Sequence, residues 1–137
     1  MATDRDGDSA RVKVLIDANA LMMPAQFRVD LFGELTRLIG AHEPLVLEDV
    51  VTELRGLSLC RGKNGAAARY GLAMAEQCTI VTSTCTAPQV DDRIIAYAYE
   101  HQCPVVTNDR RMRRLLLIEG IPVIGMRKQR TMEFIRG

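Results

Sequence analysis

Short, mostly apolar runs alternate with longer amphipathic segments along nearly the whole chain. The short runs have the length and composition of strands that are buried in a sheet. We predict five such strands, at residues 12–16, 45–47, 79–81, 104–106 and 121–124. Between them apolar residues recur at helical spacing, which predicts helices at residues 29–39, 48–59, 66–77, 90–100 and 110–118. Pro24 is predicted to interrupt the segment that follows the first strand.

This alternation indicates α/β units around a mainly parallel sheet. A chain of 137 residues is long enough for one domain. We predict a flexible leader at residues 1–10, a folded domain at 11–126 and a short basic tail at 127–137. The leader is acidic and unlike a signal peptide, and no apolar run reaches the length of a membrane span. We therefore expect a cytoplasmic protein that does not interact with membranes.

The overall charge of +1 conceals an uneven distribution. Residues 11–109 contain twelve acidic and nine basic side chains, a net charge of −3. Residues 110–137 contain eight basic and two acidic side chains, a net charge of +6. Aromatic residues make up only 4% of the chain and Trp is absent, so a platform of aromatic rings for stacking bases is not expected. Nucleic-acid binding would have to rest on the basic end of the chain.

Acidic residues follow two of the predicted strands. Asp17 comes directly after the first strand and Asp109 after the fourth, and the carboxyl ends of parallel strands meet at one edge of a sheet. Local alternatives stay open, because Asp17 and Asp109 also fit helix N-caps and Glu53 fits a solvated helix face. Asp91 and Asp92 open a predicted helix, where acids favour the positive end of the dipole. Taken together, these acids are expected to converge on one site.

Carboxylates that lie close together need a counter-charge. A set of oxygen ligands selects Mg²⁺ or Mn²⁺ rather than zinc, and either ion can activate a bound water for attack on a phosphodiester. The four cysteines contain no C-x-x-C pair, so a zinc site is not expected and we predict free thiols.

Four segments resemble, in order, the four acidic blocks of the PIN-domain ribonucleases. They are LIDANAL (15–21), VVTEL (50–54), VDDRIIAYAYEH (90–101) and VVTNDRRMRRLL (105–116). The resemblance spans about residues 12–126. It implies a three-layer α/β/α sandwich with a mainly parallel central sheet, and hydrolysis of single-stranded RNA with Mg²⁺ or Mn²⁺.

Carried over position by position, the resemblance implies that four acids are catalytic and hold the metal ion. They are Asp17, Glu53, Asp91 and Asp109. Asp91 is selected by the family's spacing and shares the apolar face of its helix, whereas Asp92 lies about 100° around and stays open as an alternative or more distant ligand. Supporting polar roles are expected for Asn19, Thr107 and Asn108.

Basic residues follow the last acidic block. Four of them lie opposite the apolar stripe of the predicted helix 110–118: Arg110, Arg111, Arg113 and Arg114. Arg127, Lys128 and Arg130 extend the patch. A solvated helix face is the alternative, but positive charge beside an acidic site fits the binding of RNA phosphates, which gives affinity without sequence preference.

Three segments are most similar to the ribosome-biogenesis branch of the family: PAQFRVD (24–30), TNDRRMRR (107–114) and GIPVIGMRKQR (120–130). We therefore predict a Mg²⁺- or Mn²⁺-dependent endoribonuclease in rRNA processing for the small ribosomal subunit, with pre-rRNA as substrate and pre-ribosomal proteins as candidate partners. Two alternatives remain, a toxin ribonuclease of a toxin–antitoxin pair and a non-catalytic RNA-binding PIN scaffold. A homodimer, the cleavage site and the number of metal ions are left open.

Overall fold

The five predicted strands pair into one sheet, and a sixth strand joins it. The computed structural model of the protein describes residues 11–136, so the predicted leader lies outside the described residues. The strands are β1 (Val12–Ile16), β2 (His42–Leu47), β3 (Thr79–Val81), β4 (Val105–Val106), β5 (Val123–Arg127) and β6 (Thr131–Ile135). The helices are α1 (Ala18–Phe27), α2 (Leu31–Ile39), α3 (Glu48–Ser58), α4 (Gly62–Ala75), α5 (Val90–His101) and α6 (Arg110–Ile118). No helix within residues 11–136 is both long and apolar enough to cross a membrane.

The strand order is β3-β2-β1-β4-β5-β6, with β1 to β5 parallel and β6 antiparallel. At the centre, Leu15 lies opposite Leu45 on one side and Val105 on the other, and it is fully buried. From β1 the chain steps outward to β3 and then crosses back to β4. The winding direction therefore reverses between β1 and β4, which is where open α/β sheets form a crevice at their carboxyl ends.

Helices cover both faces of the sheet. Right-handed crossovers place α1 to α4 on one face and α5 and α6 on the other. The packing agrees with this assignment, because α4 packs on both α1 and α3 while α5 packs on α6. The predicted α/β sandwich with a mainly parallel sheet is confirmed.

Helix α1 was not predicted, because Pro24 was expected to interrupt this segment. The helix instead runs through Pro24 and ends at Arg28, which has a positive φ of 56° and donates its N–H to the Pro24 carbonyl. Proline removes one helical hydrogen bond, a local cost that tertiary packing can offset. Here Leu21 is fully buried, and Gly71 of α4 leaves space for Met22.

The segment predicted as a basic tail at 127–137 contains strand β6, so the prediction is wrong for these residues. Met132 of this strand is fully buried. The preceding turn has positive φ at both Lys128 and Gln129, a geometry that usually requires Gly or Asn. The sequence therefore has no Gly or Asn to indicate a turn at these two positions. The many basic residues of the segment instead favoured the prediction of an exposed tail.

Side chains of α2 cover the outer edge of β6 at Met132. Glu34 accepts the backbone N–H of Met132 at 2.9 Å, and Arg37 donates to its carbonyl at 2.8 Å. Glu34 and Arg37 also form an ion pair at 3.0 Å. The hydrogen bonds from Arg37 and from Met132 lower the pKa of Glu34. An edge strand exposes unpaired backbone groups, and these two side chains satisfy both groups at one residue.

We expect Glu34→Ala to lower the free energy of unfolding by about 1 kcal/mol, because it removes the partner of the Met132 N–H at a partly exposed site. Urea unfolding of both proteins at neutral pH measures the difference. Glu76→Ala is the matched control, since the side chain of Glu76 is exposed and has no hydrogen-bond or ion-pair partner within the described chain. Equal stabilities of the two variants would show that this contact does not hold β6 in place.

Candidate active site at the carboxyl edge of the sheet

Asp17 directly follows the central strand β1 and is, with Thr107, one of two buried polar residues among residues 11–136, with 6% of its surface exposed. Its carboxylate Oδ1 accepts the N–H of Ala18 at 2.7 Å, so Asp17 is the N-cap of α1. The second oxygen, Oδ2, is held by Thr107 and Asn19. Asp17 is therefore both the N-cap of α1 and a residue of the candidate site.

Thr107 joins the ends of β1 and β4. It is fully buried, and its hydroxyl donates to Asp17 Oδ2 at 2.9 Å. The same hydroxyl oxygen accepts the backbone N–H of Asp109 at 3.2 Å. Thr107 thus positions two predicted site acids at once, and the supporting role expected for it is consistent with these contacts.

Asn19 and Asn108 complete this network. Asn19 Nδ2 donates to Asp17 Oδ2 at 3.2 Å, and Asn19 Oδ1 accepts the backbone N–H of Asn108 at 2.9 Å. The side chain of Asn108 faces the other way and accepts a hydrogen bond from Arg113 at 2.6 Å. A continuous chain of hydrogen bonds therefore links Asp17 to the helix that carries the arginines.

Asp109 is exposed and caps α6. Its Oδ1 accepts the backbone N–H groups of Arg111 at 2.9 Å and Met112 at 3.3 Å. These bonds leave Oδ2 without a partner among the described residues. The N-cap interpretation of Asp109 is confirmed, and one oxygen remains free for a ligand.

Glu53 and Asp91 approach the same edge from opposite faces of the sheet. Glu53 lies on α3 with an exposed side chain, and Asp91 lies in the first turn of α5 with 36% of its side chain exposed. Desolvation and the charge of Asp91 raise the pKa of Glu53. Desolvation and the charge of Asp109 raise the pKa of Asp91, and Arg111 opposes that rise. We call Asp17, Glu53, Asp91 and Asp109 the acidic cluster.

The pKa of Asp17 is strongly shifted. Burial raises the pKa of Asp17 from 3.8 to about 6. Hydrogen bonds from Thr107 and Ala18 oppose the rise, whereas the negative charges of Asp91 and Glu53 add to it. Two of the predicted acids, Asp91 and Glu53, therefore act on the buried carboxylate of Asp17, and Asp109 is coupled to them through Asp91.

Asp91 and Asp92 have different surroundings. Asp91 Oδ2 lies 3.5 Å from Arg111 Nη1, and its charge acts on both Asp17 and Glu53. Asp92 is exposed, and its charge acts on Asp91. These contacts favour Asp91 as the member of the cluster and leave Asp92 as its neighbour.

The acidic cluster fits a hydrated divalent cation better than a compact metal centre. Among residues 11–136, no three His, Cys, Asp or Glu side chains form a ready-made metal site. The donors of the cluster are all carboxylate oxygens, and Mg²⁺ typically keeps several waters while binding to only one or two carboxylates. A cation would also relieve the mutual repulsion that raises these pKa values.

The residues of the predicted basic patch differ in how far they are exposed. Arg110, Arg111 and Arg114 are exposed, as expected for the outer face of α6. Arg113 is not on that solvated face, which corrects the prediction. Its guanidinium group is half-buried against Gly125 of β5, where a Cβ would lie 2.8 Å from Nη2.

The remaining predicted basic residues lie on the hairpin between β5 and β6. Because β5 is parallel to β1 and β4, this hairpin lies at the same edge of the sheet as the acidic cluster. Arg127, Lys128 and Arg130 are all exposed. Arg127 is paired with Glu133 at 3.0 Å, so its charge is partly neutralised.

Arg93 was missed by sequence reasoning. It forms a 2.8 Å ion pair with Asp49, which lies one helical turn before Glu53 on α3. It also donates to the Ala87 carbonyl at 2.6 Å. Arg93 thus ties the helix of Asp91 to the helix of Glu53, a contact between sheet faces that no local pattern encodes.

The four cysteines are free thiols, as predicted.

Comparison with known proteins places these observations in context. The family described as PIN like domain matches residues 14–129. Ribonuclease VapC9 of Archaeoglobus fulgidus is 32% identical over 90% of this chain and 89% of its own length. Ribonuclease VapC4 of Methanocaldococcus jannaschii is 28% identical over 88% of this chain and 95% of its own length.

Solved structures are similar as well. The structure of the PIN domain endonuclease Utp24 superimposes with a TM-score of 0.75 at 28% identity, covering 91% of this chain and 92% of that one. A domain of a protein of unknown function from Methanocaldococcus jannaschii superimposes with a TM-score of 0.62 at 17% identity, covering 85% and 91%. The second similarity shows the fold alone.

We expect Asp17→Asn to stabilise the metal-free protein at pH 7.5 by about 1–2 kcal/mol. The raised pKa means that the native state binds more protons than the unfolded state between pH 3.8 and about 6, so wild-type stability falls as pH rises through that window. Removing the charge avoids up to about 3 kcal/mol of this loss. An unfavourable contact between the new amide and Asn19 Nδ2 reduces the gain.

Urea unfolding in EDTA at pH 4 and pH 7.5 checks this expectation. The difference between variant and wild type should be small or reversed at the lower pH and favour the variant at the higher pH. A variant that is less stable than wild type at pH 7.5 would contradict the raised pKa.

Proposed function

This chain belongs to the PIN-like domain family, and from that premise we propose that it is a ribonuclease that uses Mg²⁺ or Mn²⁺ to hydrolyse RNA phosphodiesters internally. The observation that carries the proposal is the acidic cluster around the buried Asp17. An ionisable carboxylate that is buried beside three other acids lowers the stability of the protein. A helix N-cap alone would not require this arrangement. Binding of a cation would explain why these acids are placed together.

The cation would be held by Asp17, Glu53, Asp91 and Asp109. When bound, it supplies an acidic water as nucleophile and positive charge for the attacked phosphate. The protein itself fixes the orientation of the acids. Thr107 and Asn19 hold Asp17 Oδ2, and the backbone of α6 holds Asp109 Oδ1. These bonds keep both acids in place before RNA arrives.

The basic patch would hold the RNA backbone next to the acids. Arg110 directly follows Asp109, so the first turn of α6 places positive charge beside the acidic cluster. The proposed RNA-binding residues are Arg110, Arg111, Arg113, Arg114, Arg127, Lys128 and Arg130. Contacts of this kind give affinity and salt dependence rather than sequence preference.

We further propose that the substrate is pre-rRNA in the cytoplasm and that pre-ribosomal proteins present it. The similarity to the PIN domain endonuclease Utp24, which extends over nearly the whole of both chains, supports this choice. The second candidate is a toxin ribonuclease, which the similarity to two VapC ribonucleases favours. A homodimer is compatible with either role.

We expect the wild-type protein to cleave single-stranded RNA with Mn²⁺ or Mg²⁺ and to be inactive in EDTA. Asp17→Asn should lower the rate by at least about a hundredfold, because the cation loses its central carboxylate. Cleavage of a labelled RNA on denaturing gels measures the rate, and circular dichroism confirms that the variant is folded.

Two further variants make this test specific. Glu100→Gln removes an exposed acid at the far end of α5 and should leave the rate unchanged. Asp91→Asn should behave like Asp17→Asn, whereas Asp92→Asn should retain more activity. Full activity of Asp17→Asn would overturn the assignment of the site, and RNA binding without any cleavage would favour the non-catalytic scaffold.

The two biological roles predict different outcomes when the gene is expressed in a bacterial host. For rRNA processing we expect normal growth, and cleavage in vitro at one position of the pre-rRNA encoded by the same genome. The readouts are growth curves and mapping of the new RNA ends. Growth arrest that Asp17→Asn abolishes and a neighbouring gene relieves would instead establish the toxin role.

A further inference from the structure

A groove with four arginines lies beside α6, on the side away from Asp91. Its volume is about 490 Å³. Arg110, Arg113 and Arg114 of α6 line it together with Arg136, which follows β6, and Leu117 and Ile135 form its apolar floor. Arg136 was not singled out in the sequence, because only the pairing of β6 with β5 brings it beside α6.

The positive charge of this groove is not neutralised within the described part of the chain. Arg111 and Arg127, which lie outside the groove, have acidic partners in Asp91 and Glu133. None of the four groove arginines has an ion-pair partner among residues 11–136. Burial and the charge of Arg110 lower the pKa of Arg113, so the groove gathers like charges that repel one another.

Arg113 is a half-buried lining residue of the groove. Its guanidinium group donates to Asn108 at 2.6 Å and lies over Gly125, where an added Cβ would be 2.8 Å from Nη2. Its Nε is buried and has no hydrogen-bond partner among residues 11–136. A buried polar atom without a hydrogen-bond partner lowers stability, and a half-buried guanidinium without an acidic partner can be compensated by a bound anion.

We propose that this groove binds a phosphate group of the RNA strand outside the bond that is cleaved. The inference rests on the proposed function in taking RNA as the ligand. Guanidinium groups match phosphate oxygens in charge and in planar, paired geometry. The groove begins at Arg110, the residue after Asp109, so a strand leaving the acidic cluster along α6 meets it directly.

The groove is also connected to the site through hydrogen bonds. Arg113 contacts the side chain of Asn108, the backbone of Asn108 contacts Asn19, and Asn19 contacts Asp17. A phosphate bound beside Arg113 would therefore be positioned relative to the buried carboxylate by fixed contacts. This connection favours a nucleic-acid strand that spans both places over an acidic protein segment that occupies the groove alone.

The test uses the double variant Arg114→Gln/Arg136→Gln, in which both altered residues are exposed and unpaired within the described chain. Binding of a labelled mixed-sequence single-stranded RNA is measured by fluorescence anisotropy in EDTA, where the RNA stays intact. We expect Kd to rise about tenfold at low salt, and the slope of log Kd against log salt to fall by about 1, as lost phosphate contacts require.

The matched control is Arg11→Gln/Lys13→Gln, which removes the same charge from exposed positions at the start of β1, outside the groove. Equal changes in the two double variants would overturn the proposal. So would a poly-glutamate peptide that binds through the groove arginines while RNA binding is unaffected. Because no cleavage is needed, loss of RNA affinity only in the groove variant would support the groove even if the wild type proved inactive with Mn²⁺.

Discussion

The hydrogen bond between Thr107 and Asp17 is the contact on which the site depends. Asp17 and Thr107 follow β1 and β4, the two strands between which the winding of the sheet reverses. Both side chains are buried there, so each needs a polar partner, and each is the partner of the other. The carboxyl edge of the sheet therefore carries, at this point, a carboxylate that hydrogen bonds within the fold hold in place.

Two helices on opposite faces of the sheet bring further charge to this carboxylate. Glu53 comes from α3 and Asp91 from α5, and the ion pair between Arg93 and Asp49 links the two helices at 2.8 Å. Burial, and to a smaller extent the charges of the other acids, raises the pKa values of Asp17 and Glu53, so the ionised acids are unfavourable for stability at this edge. Placing these acids together lowers the stability of the metal-free protein, and the proposed function accounts for that loss of stability.

The sequence was sufficient to predict those parts of the fold and site that depend on local pattern. Asp17 and Asp109 could be located because each follows a buried strand, and the ends of parallel strands meet. Strand β6 could not, because its turn forces positive φ on Lys128 and Gln129 without Gly or Asn. The position of Arg113 depends on how α6 packs on β5, and helix α1 continues past its proline because a buried face supports it.

Under the proposed function, the division of charge along the chain bears on how an RNA strand would approach the acidic cluster. Without a cation, ionised acids at the cluster repel an approaching phosphate, whereas the exposed arginines of α6 attract it over about a Debye length. Asp109 caps the same helix that carries Arg110 and Arg114, so a rigid element fixes the distance between the acids and the arginines. An RNA strand held by the arginines would thus be aligned with the acidic cluster, and a cation would turn repulsion there into attraction.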